Sequence, residues 1–309
     1  METDRRHPAH ADPKGRVAVI GVFDGVHRGH RSLLSVARGH ADAQALPLVA
    51  ITFDPHPMAV VGPRAAPTSL ATLAHRIELL QQAGADEVDV LHFDEDMAAL
   101  PPEDFVRRVL VERLHVRELV VGQGFRFGRR ASGTFETLVA EGERHGFSVV
   151  PAPLVGAGGD RWSSTATRAM IVEGDVAAAA EALGRPYRLE GVVVHGDHRG
   201  RELGYPTANL EWAGMPTLPA DGVYAGRLDV AGHEHPAAIS VGTNPQFGGR
   251  ERRVESYVLD RDDLDLYGQE IRVSFVDRIR GQQTFDGVDG LVARMAMDVA
   301  EVRDVLGAE

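Results

Sequence analysis

The sequence predicts two domains in series: an α/β domain of the doubly wound, parallel-sheet type, then an antiparallel β domain. Three observations predict this. Residues 17 to about 180 alternate short runs rich in Val, Ile and Leu with longer helical patterns, as βαβ units do. From residue 187 to 275 the texture changes to short alternating runs split by Gly, Pro and Asp clusters. The length of 309 residues, at about 150 residues per domain, allows two.

In chain order, the apolar runs 17–22, 48–53, 88–93, 118–121 and 147–150 read as buried parallel strands. Helical patterns fill 29–39, 72–83, 102–114 and 133–146 between them. A last helical segment, 165–183, runs into Gly184, Arg185 and Pro186, a helix stop and linker. This gives a polar arm at 1–16, a first domain at 17–185 and a second at 186–309. In the second domain the runs 188–195, 222–230, 237–241, 253–259 and 270–279 read as strands of an antiparallel barrel or sandwich, with two strand-like segments inside 265–281. Residues 287–306 form a closing amphipathic helix.

Composition narrows the chemistry. There is no Cys, so disulfides, thiolate metal sites and cysteine nucleophiles are excluded. Of the 33 basic side chains only Lys14 is a lysine, and it precedes the first apolar run, so neither a GxxxxGK[ST] loop nor a buried Schiff-base lysine is available. ATP chemistry in this chain falls to His, Arg, backbone amides and metal. The net charge of -12 argues against non-specific binding to nucleic acid or an anionic membrane. No apolar run approaches the roughly 20 residues of a membrane span, and the first 16 residues lack a signal-peptide core, so a cytoplasmic soluble protein is expected.

Four motifs mark the first domain. GVFDGVHRGH, residues 21–30, stands where the first strand turns into the first helix, at the sheet edge where ligands bind. His27 and His30, three apart, share a helix face, and Gly29 permits close backbone approach by a nucleotide. Imidazole N–H groups and the helix N-terminus suit charge developing on a transferred phosphoryl group. ITFDPHP, residues 51–57, ends the next strand at the same edge, with Pro55 and Pro57 stiffening the loop that carries Asp54 and His56. VVGQGFRFGRRASG, residues 120–133, adds Arg126, Arg129 and Arg130 in a glycine loop suited to a polyanion. SSTATR, residues 163–168, offers hydroxyls and free amides at a helix start, with Arg168 placed to reach back to a phosphate. Each has an ordinary reading alone, as surface His, turn, solvated Arg or helix cap; their conjunction points to nucleotide chemistry.

The second domain carries GVVVHGDHRGRELGYPTANL, residues 191–210, a strand entering a loop with Gly196, Gly200 and Gly204 before a Pro-Thr-Ala-Asn turn. Such glycines let backbone amides wrap phosphates without a lysine. Thr207 and Asn209 point to one side if extended, giving a hydroxyl and an amide oxygen suited to Mg²⁺. TNPQFGGRERRVESYVLD, residues 243–260, puts Glu255 in a strand after an Arg-rich turn. A carboxylate facing a substrate hydroxyl can take its proton as it attacks a γ-phosphate, even with a pKa near 4.3, when the proton moves late.

GVFDGVHRGH, TFDPHP, VVGxxFRFG and SSTxxR, in this order and spacing, resemble the nucleotidyltransferase module of prokaryotic bifunctional riboflavin kinase/FAD synthetases. PTAN with its preceding glycine loop, LPADGVYAG at 218–226, GTNPQF, VESYVLD and LYG resemble the riboflavin kinase module of the same family. The resemblance covers about residues 17–306. It implies a Rossmann-like nucleotidyltransferase domain followed by a β-barrel kinase domain. It implies that riboflavin plus ATP gives FMN at the barrel and that FMN plus ATP gives FAD and pyrophosphate at the α/β domain, both with Mg²⁺. By the same resemblance, Gly21, Phe23, Asp24, Gly29, Ser164, Thr165 and Arg168 line the adenylyltransferase ATP site beside His27 and His30. Asp54, His56, Phe125 and Arg126 belong to its flavin and nucleotide loops. Gly196, Gly200, Arg201, Gly204, Thr207 and Asn209 hold ATP in the kinase, Thr207 and Asn209 through Mg²⁺, and Glu255 is the base. Gly124 departs from the pattern, standing where that family carries Asn or Asp. The alternatives are a riboflavin kinase with an impaired first domain, or a flavin- or nucleotide-binding regulator without turnover.

Overall fold

The computed structural model describes residues 15–308 except 63–65, 123, 154–155, 158–159, 197–199, 201–202, 244–251 and 262. Arg201, most of the polar arm and most of the segment between Gly242 and Arg252 therefore lie outside the described residues.

The first half contains β1 (Arg16–Ile20), α1 (Arg28–Gln44), β2 (Leu48–Asp54), α2 (Pro57–Val61), α3 (Leu73–Gln82), β3 (Glu87–His92), α4 (Glu95–Ala99) and α5 (Pro102–Phe105). The last runs on as a π-helix (Val106–Arg113) into β4 (Val116–Gly122), α6 (Phe135–His145) and β5 (Ser148–Ala152). The five strands are parallel in the order β3-β2-β1-β4-β5. Every position of β1 is buried, and Ile20, Ile51, Leu119 and Val121 share a core with Phe105, Leu110 and Leu138. Burial on both faces is why these strands read as continuous apolar runs rather than alternating ones. The order reverses beside β1, so the carboxyl ends of β1 and β4 flank the crevice where such sheets take ligands. Residues 21–23 and 124–127 lie just beyond those strand ends.

The second half contains β6 (Gly156–Ala157), β7 (Asp160–Arg161), α7 (Ser164–Glu173), α8 (Val176–Leu183), β8 (Tyr187–Val194), β9 (Thr207–Glu211), β10 (Gly222–Val230), β11 (His233–Gly242), β12 (Arg253–Val258), β13 (Glu270–Gly281) and α9 (Val288–Leu306). Six strands close into an antiparallel barrel in the order β10-β11-β12-β9-β8-β13. Tyr224, Ile239, Val254 and Phe275 fill it, and Leu70, Ile171, Val176 and Leu183 extend the same core.

Three local expectations are corrected. The single helix over 165–183 is two, because Gly174 ends α7 at φ +85° and the Asp175 side chain caps α8 by accepting from Ala178 N at 2.9 Å. The turn expected at Pro-Thr-Ala-Asn is β9, paired with β12 on one side and β8 on the other. Residues 265–281 give one strand, since Gly268 and Gln269 turn back on Val193 and Leu266 before β13 starts.

The described chain forms two compact units. Met1–Phe23, His30–Ala66 and Ile77–Leu154 make one; Asp24–Gly29, Pro67–Arg76 and Val155–Glu309 make the other. In the second, α9 is fixed to β13 through Asp298, only 4% exposed. Its carboxylate accepts from Arg280 Nε at 2.8 Å, Arg280 Nη2 at 2.6 Å and Arg294 Nε at 2.8 Å. Val302 packs beside it on Ala225 and Leu259. Removing the shared anion leaves two guanidinium groups facing each other in a desolvated place, a loss of about 3–5 kcal/mol. Asp298→Ala should lower stability by about that much in urea unfolding. Asp304→Ala, at an exposed site on the same helix, should change it by less than about 0.5 kcal/mol.

Candidate active sites

The turn after β1 is strained and pinned. Phe23 and Val26 have φ of 53° and 40°, left-handed values costing non-glycine residues about 1–3 kcal/mol each. Gly25 lies between them at φ 76°, where an added Cβ would stand 2.9 Å from Leu70. Asp24, 3% exposed, holds the turn. Its carboxylate accepts from Leu70 N at 2.9 and 3.1 Å and from Arg168 Nη2 at 2.6 Å. Arg168 Nε donates to Thr68 O at 2.6 Å, Ser164 Oγ to Asp24 O at 2.9 Å, and Arg185 Nη2 to Gly25 O at 2.8 Å. Arg168 thus braces the loop that carries His27 and the segment before α3.

His27 is buried, and burial followed by the charges of Arg168 and Arg185 lowers its pKa to about 4. At neutral pH it is a neutral imidazole with one N–H to donate. A Cβ at Gly29 would touch the His27 ring at 3.0 Å and the Trp162 carbonyl at 3.4 Å, so the backbone of α1 begins tight against this ring. Ser163 caps α7 by accepting from Ala166 N at 3.2 Å, and neither α1 nor α7 has an acidic residue in its first turn. Thr165 is exposed at the start of α7.

In the first unit, Phe23 packs edge-on against the His30 ring at 5.1 Å, and Gly21 lies close over Phe23. Asp54 ends β2, and His56 caps α2, its Nδ1 accepting from Met58 N at 3.1 Å. After β4, Phe125 stacks on Phe127 at 5.8 Å while Arg126 is exposed. Gly124 is exposed, and a Cβ there would meet nothing within 4 Å.

The barrel brings the second set together by strand pleat. On β9, Ala208 and Leu210 point into the core, so Thr207 and Asn209 face the other way; on β12, Val254, Ser256 and Val258 point inward and Glu255 outward. Register places Glu255 opposite Asn209 and Tyr257 opposite Thr207. Thr207 Oγ1 lies 3.5 Å from Glu255 Oε2. Asn209 Oδ1 is buried with no hydrogen-bond partner among the described residues. Gly196 lies directly on the Asn209 amide, and Gly200 on the Tyr205 carbonyl and Thr207 Oγ1, leaving no room for a side chain at either. Gly204 adopts φ +85° in the turn closed by Tyr205 N to Gly200 O at 2.7 Å. Among the described residues no cluster of three His, Asp or Glu could hold a metal by itself.

The sequence-predicted site residues thus fall into two sets, one at the turn after β1 and one on the barrel strands β9 and β12. Residues 9–166 match the family model described as FAD synthetase, and residues 183–306 match the one described as riboflavin kinase. The chain belongs to the bifunctional riboflavin kinase/FMN adenylyltransferase family. The protein of that name from Escherichia coli (strain K12) is 37% identical over 298 residues, 96% of this chain and 95% of that one. The one from Bacillus subtilis (strain 168) is 31% identical over 301 residues, 96% and 95% of the two chains. A crystal structure described as a macrolide-efflux protein from Streptococcus pneumoniae has the same fold, with TM-score 0.85 and 34% identity over 94% of each chain. Among the described residues no helix is long and apolar enough to cross a membrane.

Sequence reasoning missed the segment 67–76. Thr68 and Leu70 complete the Asp24 brace, and His75, 3% exposed, sits above Glu190 with its Nδ1 4.0 Å from Oε1. Glu190 also accepts from Thr72 Oγ1 at 2.6 Å and pairs with Arg188 at 2.7 Å. Burial, then Arg188, Arg185 and Arg272, lower the His75 pKa to about 3. No local motif announces these residues; a lone His in an unremarkable helix start carries no signal.

Both histidines bind protons more weakly folded than unfolded. Between their native values, about 4 and 3, and the ordinary 6.5, the unfolded chain takes up more protons, so stability falls as pH falls through that window. Urea midpoints should drop steeply from pH 6.5 to 4.5, and His75→Gln should flatten that slope; an unchanged slope would show that His75 is protonated in the fold.

Proposed function

We infer that this chain phosphorylates riboflavin to FMN with ATP and then adenylylates FMN to FAD with a second ATP, releasing pyrophosphate. The observation that carries the kinase reading is the register of β9 and β12, which sets a hydroxyl, a buried amide oxygen without a partner and a carboxylate on one barrel face beneath a glycine loop. The adenylyl reading rests on the family match of the first half and on the turn holding His27 at the start of α1. We assign the first reaction to residues 186–309 and the second to 17–185.

In the kinase, Glu255 takes the proton of the ribityl 5′-hydroxyl as its oxygen bonds to the γ-phosphorus and the bond to the ADP oxygen breaks. The buried Asn209 Oδ1 and the Thr207 hydroxyl fit Mg²⁺, which takes one or two protein oxygens plus substrate phosphates and would neutralise charge on them. Glycines at 196, 200 and 204 suit close approach of phosphates to backbone N–H groups. In the adenylyltransferase, the FMN phosphate attacks the α-phosphorus and pyrophosphate leaves. His27 donates as a neutral imidazole, and the free amides at the start of α7, which carries Ser164 and Thr165, suit the phosphates; His30 is given the same role on the family match alone. Arg168 serves chiefly by fixing the His27 loop. Asp54, His56, Phe125 and Arg126 border the flavin side. Neither step needs a covalent intermediate. Dependence on ATP fits a cytoplasmic enzyme.

Incubation with riboflavin, ATP and Mg²⁺, resolved by chromatography, should yield FMN and then FAD; FMN that never converts would leave the kinase alone. Glu255→Gln should lower FMN formation at least about 100-fold and spare conversion of supplied FMN to FAD. His27→Ala with His30→Ala should do the reverse. If either change abolished both activities in a folded protein, the two-site assignment would be wrong. The open space at Gly124 makes Gly124→Asn sterically free, and we expect it to raise FAD formation without altering FMN formation.

A further inference from the structure

The connection between β9 and β10 is joined to the segment before α3 by a short parallel β-bridge, Ser69 with Pro216. Ser69 N donates to Met215 O at 2.8 Å, and Thr217 N donates to Ser69 O at 2.9 Å. Thr217, 1% exposed, closes the contact with its side chain. Its Oγ1 donates to Ser69 O at 3.1 Å. A hydroxyl has one proton, so with that proton on Ser69 O the Thr217 oxygen accepts from Thr68 Oγ1, 2.8 Å away. The Thr217 carbonyl in turn accepts from the buried Tyr187 hydroxyl of β8 at 2.7 Å, which ties the connection to the barrel wall.

The tripeptide 68–70 therefore has two working edges, because successive residues of an extended chain turn their backbone groups to opposite sides. Ser69 faces the barrel connection. Its neighbours face the turn after β1: Thr68 O accepts from Arg168 Nε at 2.6 Å, and Leu70 N donates to the Asp24 carboxylate at 2.9 Å. That turn carries Val26 at φ 40°, directly before His27, and a strained turn keeps its shape only while its surroundings hold it.

We propose that Thr217 is a positioning residue for adenylyl transfer: a side chain from the kinase half of the sequence that sets His27 by fixing residues 68–70, and through them Asp24 and Arg168. The proposal rests on the adenylyl reading above. Without the Thr217 hydroxyl, Thr68 Oγ1 loses its acceptor and Ser69 O keeps one of two bonds, so the edge that holds Asp24 and Arg168 can shift. A displacement of about 1 Å in a group that meets the reacting atoms costs up to about 100-fold in rate.

The test is Thr217→Val, which removes the hydroxyl at nearly constant shape, with FMN and ATP supplied. It should lower kcat for FAD formation roughly tenfold while KM for both substrates, and kcat for FMN formation from riboflavin, stay within about twofold. Thr217→Ser, which keeps the hydroxyl, should restore the rate. An unchanged kcat for FAD formation overturns the proposal, whether or not KM moves. So does an equal fall in both activities, or a fall that Thr217→Ser leaves in place. Should Thr217→Val fail to fold, Thr68→Val removes the other member of the hydroxyl pair and decides the matter: loss of kcat for FAD formation alone supports the proposal, and a wild-type rate overturns it. A wild-type protein that makes no FAD from FMN and ATP would instead sink the adenylyl reading itself.

Discussion

The structure turns on one buried carboxylate. Moving an ion such as Asp24 out of water costs several kcal/mol, repaid only by well-placed partners. Here the partners come from distant parts of the chain: an amide at Leu70, a guanidinium at Arg168, and a hydroxyl at Ser164 on the adjoining carbonyl. Because the anion is costly when unpaired, the segment at Leu70 and the helix α7 that carries both Ser164 and Arg168 must reach the turn together. That requirement holds Phe23 and Val26 in left-handed conformations that a free loop would abandon. It also bears on His27, because burial, the main reason that imidazole stays uncharged, is reinforced by the guanidinium that balances Asp24 and by Arg185. A structural ion pair and the protonation state of a candidate catalytic group are thus one arrangement.

The barrel uses a simpler device. Alternation along a strand sends every second residue inward, so one stretch of β9 supplies both core (Ala208, Leu210) and the outward face that carries Thr207 and Asn209. The facing stretch of β12 does the same, with Ser256 inward and Glu255 outward. A one-residue slip between them would bury the acid and expose the core, so hydrophobic patterning enforces the geometry of the site.

How much of this was legible depends on how local the cause is. The β-period and the helix period are local, and they gave the α/β alternation, the parallel strands, the antiparallel strands that follow and the common face of Thr207 and Asn209. Motif order gave the family. The Gly174-Asp175 break was also present in the sequence, as a stop residue beside a cap residue, and continuous helical hydrophobicity over 165–183 masked it. Barrel against sandwich could not be separated by pattern, because closure depends on β13 reaching both β10 and β8, a long-range pairing. The engagement of Arg168 with Asp24 and Thr68 was illegible for the same reason: the partners lie 144 and 100 residues away.

The two sheets also differ in how they end. A closed barrel has no unpaired strand, whereas the five-stranded sheet terminates in β3 and β5, each with one row of backbone groups lacking a neighbour within the sheet. Pro151 removes an N–H from β5, while Glu87 and Asp89 of β3 are tied to Arg16 and Arg113, at 3.2 and 2.5 Å. Pro151 has no N–H to give to a ladder, so it is tolerated in β5 because that strand is terminal, and the same residue in β1 or β4 would cost the sheet a hydrogen bond.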